Sequence, residues 1–483
     1  MPKISIANLF WNPAPALSNL NSKPLTRKCL VSSVHITIMA MNNRRVRNIS
    51  KDINADKNST KSTFTVPDIE DGFDQRDVQV IRESLLRWYD ENRRDLPWRE
   101  ASGKDGEPID VNSKAYGVWV SEIMLQQTRV QTVIDYYNRW MKKWPTIHDL
   151  AKASIEDVNE MWAGLGYYRR ARYLLEGAKM VVSLNDGFPN TVLSLRKVPG
   201  VGDYTAGAIA SIAFKQVVPV VDGNVIRVLA RLKAISANPK ESQTVKKFWK
   251  LAGQLVDPFR SGDFNQSLME LGATLCTPMN PHCSACPISD QCGAFAVSKT
   301  DESVVVTDYP SKVVKLKQRN EVSFVCVVEI ARGKSGPLEN GEFLMVRRPN
   351  TGLLAGLWEF PCVNIEEGDL KFGTKRIDDY LKEEIALVPH VIERKHVGKF
   401  VHIFSHIRLT VYVEYMAALC KDEKPLFDEK NDNWKCVDGM ALAQLGLSSG
   451  VRKVYRLIQE FKGNNQLETD SSKRIKRKIN SNP

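Results

Sequence analysis

VPGVGDYTAGAIA, residues 198–210, sets two glycines, Gly200 and Gly202, ahead of a run of small residues with helical character. A turn of this kind lets backbone N–H groups approach a phosphate, and the N-terminus of the helix behind it favours the negative charge. Pro-Gly also makes an ordinary turn, so the stretch must be judged with its surroundings. On its C-terminal side the apolar run Val217–Val221 ends in Asp222-Gly223-Asn224, and Val225, Ile226, Val228 and Leu229 continue with helical spacing. An Asp at that point is a good helix N-cap. On its N-terminal side Glu122 stands among Trp119, Val120, Ile123, Met124 and Leu125. Apolar surroundings raise a carboxyl pKa and suit it to general-acid work near neutral pH, whereas the exposed face of an amphipathic helix leaves an ordinary surface Glu. Two carboxylates in different environments are the usual equipment for cleaving a glycosidic bond, one giving a proton and the other stabilising an oxocarbenium-like centre. Only His148 and His282 lie between Phe64 and Val297, which argues against a Ser-His-Asp or Cys-His site in this half.

Further along comes CTPMNPHCSACPISDQC, residues 276–292, in which Cys276, Cys283, Cys286 and Cys292 are interleaved with three prolines. Four soft thiolates suit tetrahedral zinc or an iron–sulfur cluster. A zinc ribbon usually has two C-x2-C pairs, and this stretch has one. The chain has nine cysteines, and gathering four of them here points to metal, not to a secreted disulfide framework.

At 483 residues the chain has room for two domains plus tails, and 43% hydrophobic with 26% charged residues is ordinary globular composition. The net charge of +12 is a property of the ends: residues 1–50 and 471–483 hold twelve of the 68 basic residues and no acidic ones, leaving 56 against 56 between them. Any nucleic-acid footprint must come from local patches. No apolar run approaches the roughly 18 residues of a membrane span. The acid-free N-terminus is equally compatible with an organellar transit peptide and a plain tail. The run Lys473-Arg474-Ile475-Lys476-Arg477-Lys478 reads as a nuclear-localisation cluster, or else as a solvated basic tail. The expected compartment is the nucleus, with the mitochondrion or another organelle left open by the N-terminus.

Helical periodicity begins near Asp77 and persists to about Leu275. A charged stretch around Ser298–Asn320, containing Pro310, reads as a linker. Beyond it, Val322–Ile330 and Leu409–Tyr415 look like strands while Ile377–Ile385 and Val451–Phe461 look like helices, so the second half is α+β.

Taken in order, Leu96-Pro97-Trp98-Arg99, SEIMLQQT at 121–128, Gly164-Leu165-Gly166-Tyr167-Tyr168, the Pro-Gly-Val-Gly turn, Val221-Asp222-Gly223-Asn224 and the four cysteines closely resemble the MutY family of DNA glycosylases, from about Phe64 to Val297. The resemblance implies an all-α helix-hairpin-helix glycosylase domain with a [4Fe–4S] cluster loop, acting as a monomer on double-stranded DNA in which adenine is mispaired with 8-oxoguanine or guanine. It implies that Glu122 protonates the departing adenine, that Asp222 stabilises the sugar cation, and that Tyr204 and Asn224 support them. Arg99 and Glu270 match positions lining the adenine pocket, Gln126 and Tyr167 match residues that enter the DNA stack, and Trp98 is expected among the substrate- or DNA-binding residues. Related bifunctional enzymes carry a nucleophilic Lys after the Gly-Val-Gly turn, where this chain has Asp203-Tyr204-Thr205, which implies base removal without strand cleavage.

The second half resembles the MutT-like (Nudix-like, α+β) domain of the same family through GLLAGLWEFP at 352–361 and Phe404-Ser405-His406, which match an 8-oxoguanine reader. Glu366 to Glu384 lacks the Arg-Glu-x-x-Glu-Glu cluster that holds Mg²⁺ in active Nudix hydrolases. The expected boundaries are a tail at 1–63, the glycosylase domain at 64–297, a linker at 298–319, the recognition domain at 320–462 and a basic tail at 463–483. The segment between Gly103 and Asn112 is longer and more polar than the family's compact version. Rival readings are a nucleotide pyrophosphatase working through the second half and a non-enzymatic DNA-damage-binding protein whose carboxylates only cap helices.

Overall fold

The computed structural model describes residues 72–99, 110–313, 317–332, 341–352, 354–366, 372–385, 390–404, 406–420 and 433–479. The N-terminal tail, most of the polar segment after Gly103, and Ser405 lie outside the described residues.

The first lobe is built from α1 (Gln75–Asn92), α2 (Val111–Leu125), α3 (Val130–Lys143), α4 (Ile147–Ala151), α5 (Ile155–Trp162), α6 (Arg169–Leu184), α7 (Val192–Leu195), α8 (Asp203–Ile212), α9 (Gly223–Leu232), α10 (Ser242–Leu255), α11 (Ser261–Thr274) and α12 (Gly293–Thr300). It has two apolar cores. One gathers Trp119, Trp140, Trp162, Leu174 and Ile209 from α2, α3, α5, α6 and α8. The other gathers Ile81, Leu85, Leu229, Phe248 and Leu268 from α1, α9, α10 and α11. Helix α2 carries buried residues at every position from Ala115 to Met124, which makes it the interior helix of the first core. The turn Val198–Gly202 joins α7 to α8 as a helical hairpin, and Gly200 sits at φ +78°, a conformation that favours glycine.

The expected linker is fastened, not free. Helix α12 runs to Thr300, and the connection is then held to the α9 region by Arg231 Nε donating to Tyr309 O at 3.2 Å and Ser311 N donating to Ser236 O at 3.3 Å.

The second lobe contains β1 (Arg319–Arg332), β2 (Glu342–Arg347), β3 (Trp358–Glu359), β4 (Cys362–Ile365), α13 (Gly373–Glu384), β5 (His390–Ile403), β6 (Ile407–Cys420), β7 (Trp434–Val437), α14 (Gly439–Gln444) and α15 (Ser449–Ile479). Its mixed sheet has the order β3-β2-β1-β6-β5, with β4 on β1 and β7 on β2. The long parallel pair β1 and β6 runs from Arg319 opposite Ile407 to Arg332 opposite Cys420. Alternation along β1 sends Phe324, Cys326, Val328 and Ile330 towards α13, while Val325 and Val327 face Val454 and Ile458 of α15. Helix α15 continues past the expected end at Phe461 to Ile479, and no proline interrupts the sequence before Pro483.

Candidate active site

Glu122 projects from α2 at the boundary of the two cores and is 6% exposed, so the exposed-face alternative fails. Burial pushes its carboxyl up to about 7; the hydrogen bond from Tyr204 pulls it down, the Asp222 charge pushes it up and the Arg99 charge pulls it down. Tyr204, in the first turn of α8, donates its hydroxyl to Glu122 Oε2 at 2.5 Å. Burial and the neighbouring Glu122 charge push the phenol well above its usual range, so Tyr204 keeps its proton and remains a donor. No cation pairs directly with Glu122 among the described residues, so the group is poised to hold and release a proton near neutrality.

Asp222 is the N-cap of α9, and its Oδ1 accepts from Val225 N at 2.7 Å. The structural role read from the sequence is therefore present. The other oxygen, Oδ2, accepts from Asn224 Nδ2 at 2.8 Å, and Asn224 Oδ1 accepts from Arg227 Nη2 at 2.8 Å. Burial pushes the Asp222 carboxyl up, while the hydrogen bonds from Val225 and Asn224 and the Arg227 charge draw it back. Glu122 and Asp222 thus come from the two different cores, and the hairpin delivers Tyr204 between them.

Glu270 of α11 is 1% exposed and bound on both oxygens: Arg94 Nε at 2.6 Å and Nη2 at 2.8 Å, and Arg99 Nη2 at 2.9 Å. Burial alone would push this carboxyl up, but the two arginines overcome it and hold it at about 2. It is a fixed anion, and Arg99, which helps to hold it, also acts on Glu122. Trp98 packs edge-on against Tyr137 with ring centres 5.3 Å apart, next to Arg99 in the same short turn.

Gln126 and Tyr167 are brought together by a residue the sequence did not single out. Arg170, buried in α6, donates to the carbonyls of Gln126 at 2.5 Å, Met124 at 3.0 Å and Gly166 at 3.1 Å, tying the loop after α2 to the loop before α6. Both loops carry left-handed residues, Gln127 at φ 55° and Tyr167 at φ 51°, and Tyr167 is 43% exposed. The hairpin glycines divide their roles. A Cβ on Gly200 would lie 2.6 Å from Tyr173 Cβ, whereas one on Gly202 would meet nothing within 4 Å, leaving the start of α8 open to a ligand.

Cys276, Cys283, Cys286 and Cys292 line one cavity together with the buried Arg231. Arg231 Nη1 lies 3.3 Å from Cys276 Sγ and 2.7 Å from Thr277 O, and burial pushes the Cys286 thiol up to about 12 and that of Cys292 up to about 11. Among the described residues no three His, Cys, Asp or Glu side chains converge as they would on a single ion. Four soft donors around a shared cavity, with a cation at its wall, fit a thiolate-bound group that carries negative charge.

In the second lobe Phe404 closes the β5–β6 hairpin, with its N donating to Ile407 O at 2.8 Å. It is half-buried, stands outside both apolar clusters of the lobe and meets the His402 ring edge-on at 4.6 Å. Phe404 is therefore not a core residue of the lobe. His406 is exposed beside it. On α13, Asp378 is paired with Arg394 of β5 at 2.7 Å.

A family model described as HhH-GPD superfamily base excision DNA repair protein matches residues 120–254, and one for the NUDIX domain matches residues 338–457. The chain is 56% identical over 420 residues to the adenine DNA glycosylase of Arabidopsis thaliana, covering 80% of this chain and 65% of that protein. It is 44% identical over 424 residues to the adenine DNA glycosylase of Mus musculus, covering 80% of each. The chain belongs to the adenine DNA glycosylase family. A solved thermostable thymine-DNA glycosylase is 27% identical, with a TM-score of 0.40, over 46% of this chain and 98% of its own.

Within this family member the functional groups that sequence reasoning missed are arginines. Arg94 secures Glu270, Arg170 ties the two loops, Arg227 secures Asn224, and Arg231 faces the cysteines. One signal was available: Arg227 and Arg231 are four residues apart on a helix that opens with Asp222, so they share a face.

Proposed function

We propose that the chain is a monofunctional adenine DNA glycosylase that removes adenine opposite 8-oxoguanine or guanine in duplex DNA. The observation that carries this reading is Glu122, buried, hydrogen-bonded by Tyr204 and pushed up to about 7 beside a second carboxylate. Glu122 gives its proton to a ring nitrogen of adenine as the C1′–N9 bond breaks, so the base leaves neutral. The Asp222 carboxylate, fixed by Val225 N and Asn224, stabilises the positive charge left on the sugar. Water adds to C1′ and gives its proton to the Glu122 carboxylate, which restores the acid. Tyr204 occupies the place of a nucleophilic Lys, so the strand stays intact at the abasic site.

Cys276, Cys283, Cys286 and Cys292 would hold a [4Fe–4S] cluster, which would close the loop 276–292 on itself, while Arg231 ties that loop to the end of α9 through Thr277 O. The cavity shared by the four thiols supports a thiolate-bound group there, and the single C-x2-C pair supports a cluster over a zinc ribbon. Phe404, Ser405 and His406 are assigned to reading the opposite base, and the basic run 473–478 supports a nuclear address. The deciding experiment is single-turnover cleavage of an 8-oxoguanine:adenine duplex. Adenine should be released with the strand intact, and release of pyrophosphate from 8-oxo-dGTP without base excision would overturn the assignment.

A further inference from the structure

The stretch that leads into α6, from Tyr167 to Arg172, reaches in four directions. Tyr167 is exposed, and Arg170 ties its loop to Gln126. The other two residues bind the second lobe. Tyr168 is 6% exposed and donates its hydroxyl to Leu447 O at 3.1 Å. Arg172 donates Nη2 to Ala355 O at 2.9 Å and Nη1 to Asn350 O at 3.3 Å.

The strap that Arg172 grips is the GLLAGLW stretch, read from the sequence as a mark of the Nudix-like half. Here it works as a fastener. Gly356 N donates to Pro349 O at 3.1 Å and Arg348 N to Leu357 O at 2.9 Å, which folds the strap into a compact loop. Its Leu357 is buried in the apolar core of the first lobe, alongside Trp162 and Tyr168, and Leu354 packs against the same core. The strap takes this shape through Gly352 at φ +92°, Leu354 at φ 56° and Gly356 at φ +71°. A Cβ on Gly356 would lie 2.6 Å from Arg172 Nη2. Nearby, Gly446 lets backbone meet backbone, since a Cβ there would lie 2.6 Å from Asn159 C.

We infer that Tyr168 and Arg172 are positioning residues that make the Tyr167 loop and the second lobe one mechanical unit, so that recognition of the base opposite adenine depends on this seam. The inference rests on the proposed glycosylase activity. Neither residue touches Glu122 or Asp222. What they fix is the span between the loop that faces the duplex in the first lobe and the Phe404 tip in the second. A contact at the tip can favour excision only if that span is held while the adenine is seated, because a loose seam lets the tip engage without moving the base.

The test compares single-turnover excision from 8-oxoguanine:adenine and guanine:adenine duplexes by the full chain, with thermal melting as a check on folding. Tyr168→Phe combined with Arg172→Ala should lower the ratio of the two rates about tenfold while guanine:adenine excision stays within about threefold, the loss expected for two or three hydrogen bonds at a seam. Arg172→Lys, which keeps a donor, should recover part of the ratio. Gly356→Ala changes only the second lobe, displaces the guanidinium and should reproduce the loss. A ratio within twofold of wild type in the folded double variant, or a proportional fall of both rates, would overturn the coupling. Wild-type protein that excises no adenine would instead overturn the activity beneath it.

Discussion

Glu122 in the first lobe and Glu329 in the second are both buried, 6% and 2% exposed, and both accept a tyrosine hydroxyl, at 2.5 Å from Tyr204 and 2.6 Å from Tyr415. They differ in whether a cation is paired directly with the carboxylate. Lys462 of α15 places its ammonium 2.7 Å from each Glu329 oxygen, whereas Glu122 has no paired cation among the described residues. The second lobe repeats the pattern of Glu329 at Glu414, which Arg394 binds at 2.7 Å, and the first lobe repeats it at Glu270. Burial alone therefore does not make a reactive carboxyl. A paired cation fixes the negative charge and turns the group into a fastener, while a hydroxyl partner without a cation leaves the proton near its tipping point.

The largest effect expected from this difference is on excision. Glu122→Gln cannot release a proton and should lower single-turnover excision by roughly 10²–10⁴-fold. Asp222→Asn keeps an N-cap side chain but loses the charge, and should cost a comparable factor of roughly 10²–10³ with little change in melting temperature. Excision within about tenfold of wild type for Asp222→Asn would reduce Asp222 to a helix cap.

Stability should respond in the opposite way. Glu122 is raised from its ordinary value of 4.5 to about 7, so between those pH values the folded chain binds more protons than the unfolded chain, and stability falls as pH rises through that window. Glu122→Gln removes this penalty and should melt no lower than wild type at pH 8. Lys462→Met leaves Glu329 as a buried carboxylate without its cation and should destabilise the second lobe by on the order of 2–3 kcal/mol, below the fully buried case because Lys462 keeps 27% exposure. Equal melting of the two variants would erase the distinction between fastener and acid.

How much of this was legible in the sequence differs between the lobes. Continuous apolar flanks around Glu122 did mark a buried helix, and the apolar run before Asp222 did mark a cap, because both signals are local. The pairing of Arg94 with Glu270 spans 176 residues and that of Lys462 with Glu329 spans 133, and no spacing rule reaches that far. The strap at 352–357 reads as a mark of the second half and lies inside the NUDIX match, but nothing in the sequence shows that its Leu357 enters the core of the first lobe, since an apolar Leu carries no label for the core it will enter. The polar segment after Gly103 lies mostly outside the described residues and gains no role here.

The smallest expected effect concerns the hydroxyl that both buried glutamates share. Tyr204 stabilises the ionised form of Glu122 by donating to Oε2, and so holds its pKa below the value that burial would set. Excision needs the protonated form, so the wild-type rate should decline as pH rises above about 7. Tyr204→Phe removes the donor but keeps the ring. The carboxyl should then hold its proton to higher pH, and the alkaline limb of the single-turnover profile should move up by about one unit, the equivalent of one hydrogen bond to a charged group. The same change opposite Glu329, Tyr415→Phe, should leave the profile where it is, because that carboxylate is bound by Lys462 and lies in the other lobe, away from the excision site. A limb that stays in place in Tyr204→Phe would mean that the titrating group seen in the rate is not Glu122, and a limb that moves down would mean that Tyr204 favours the protonated acid.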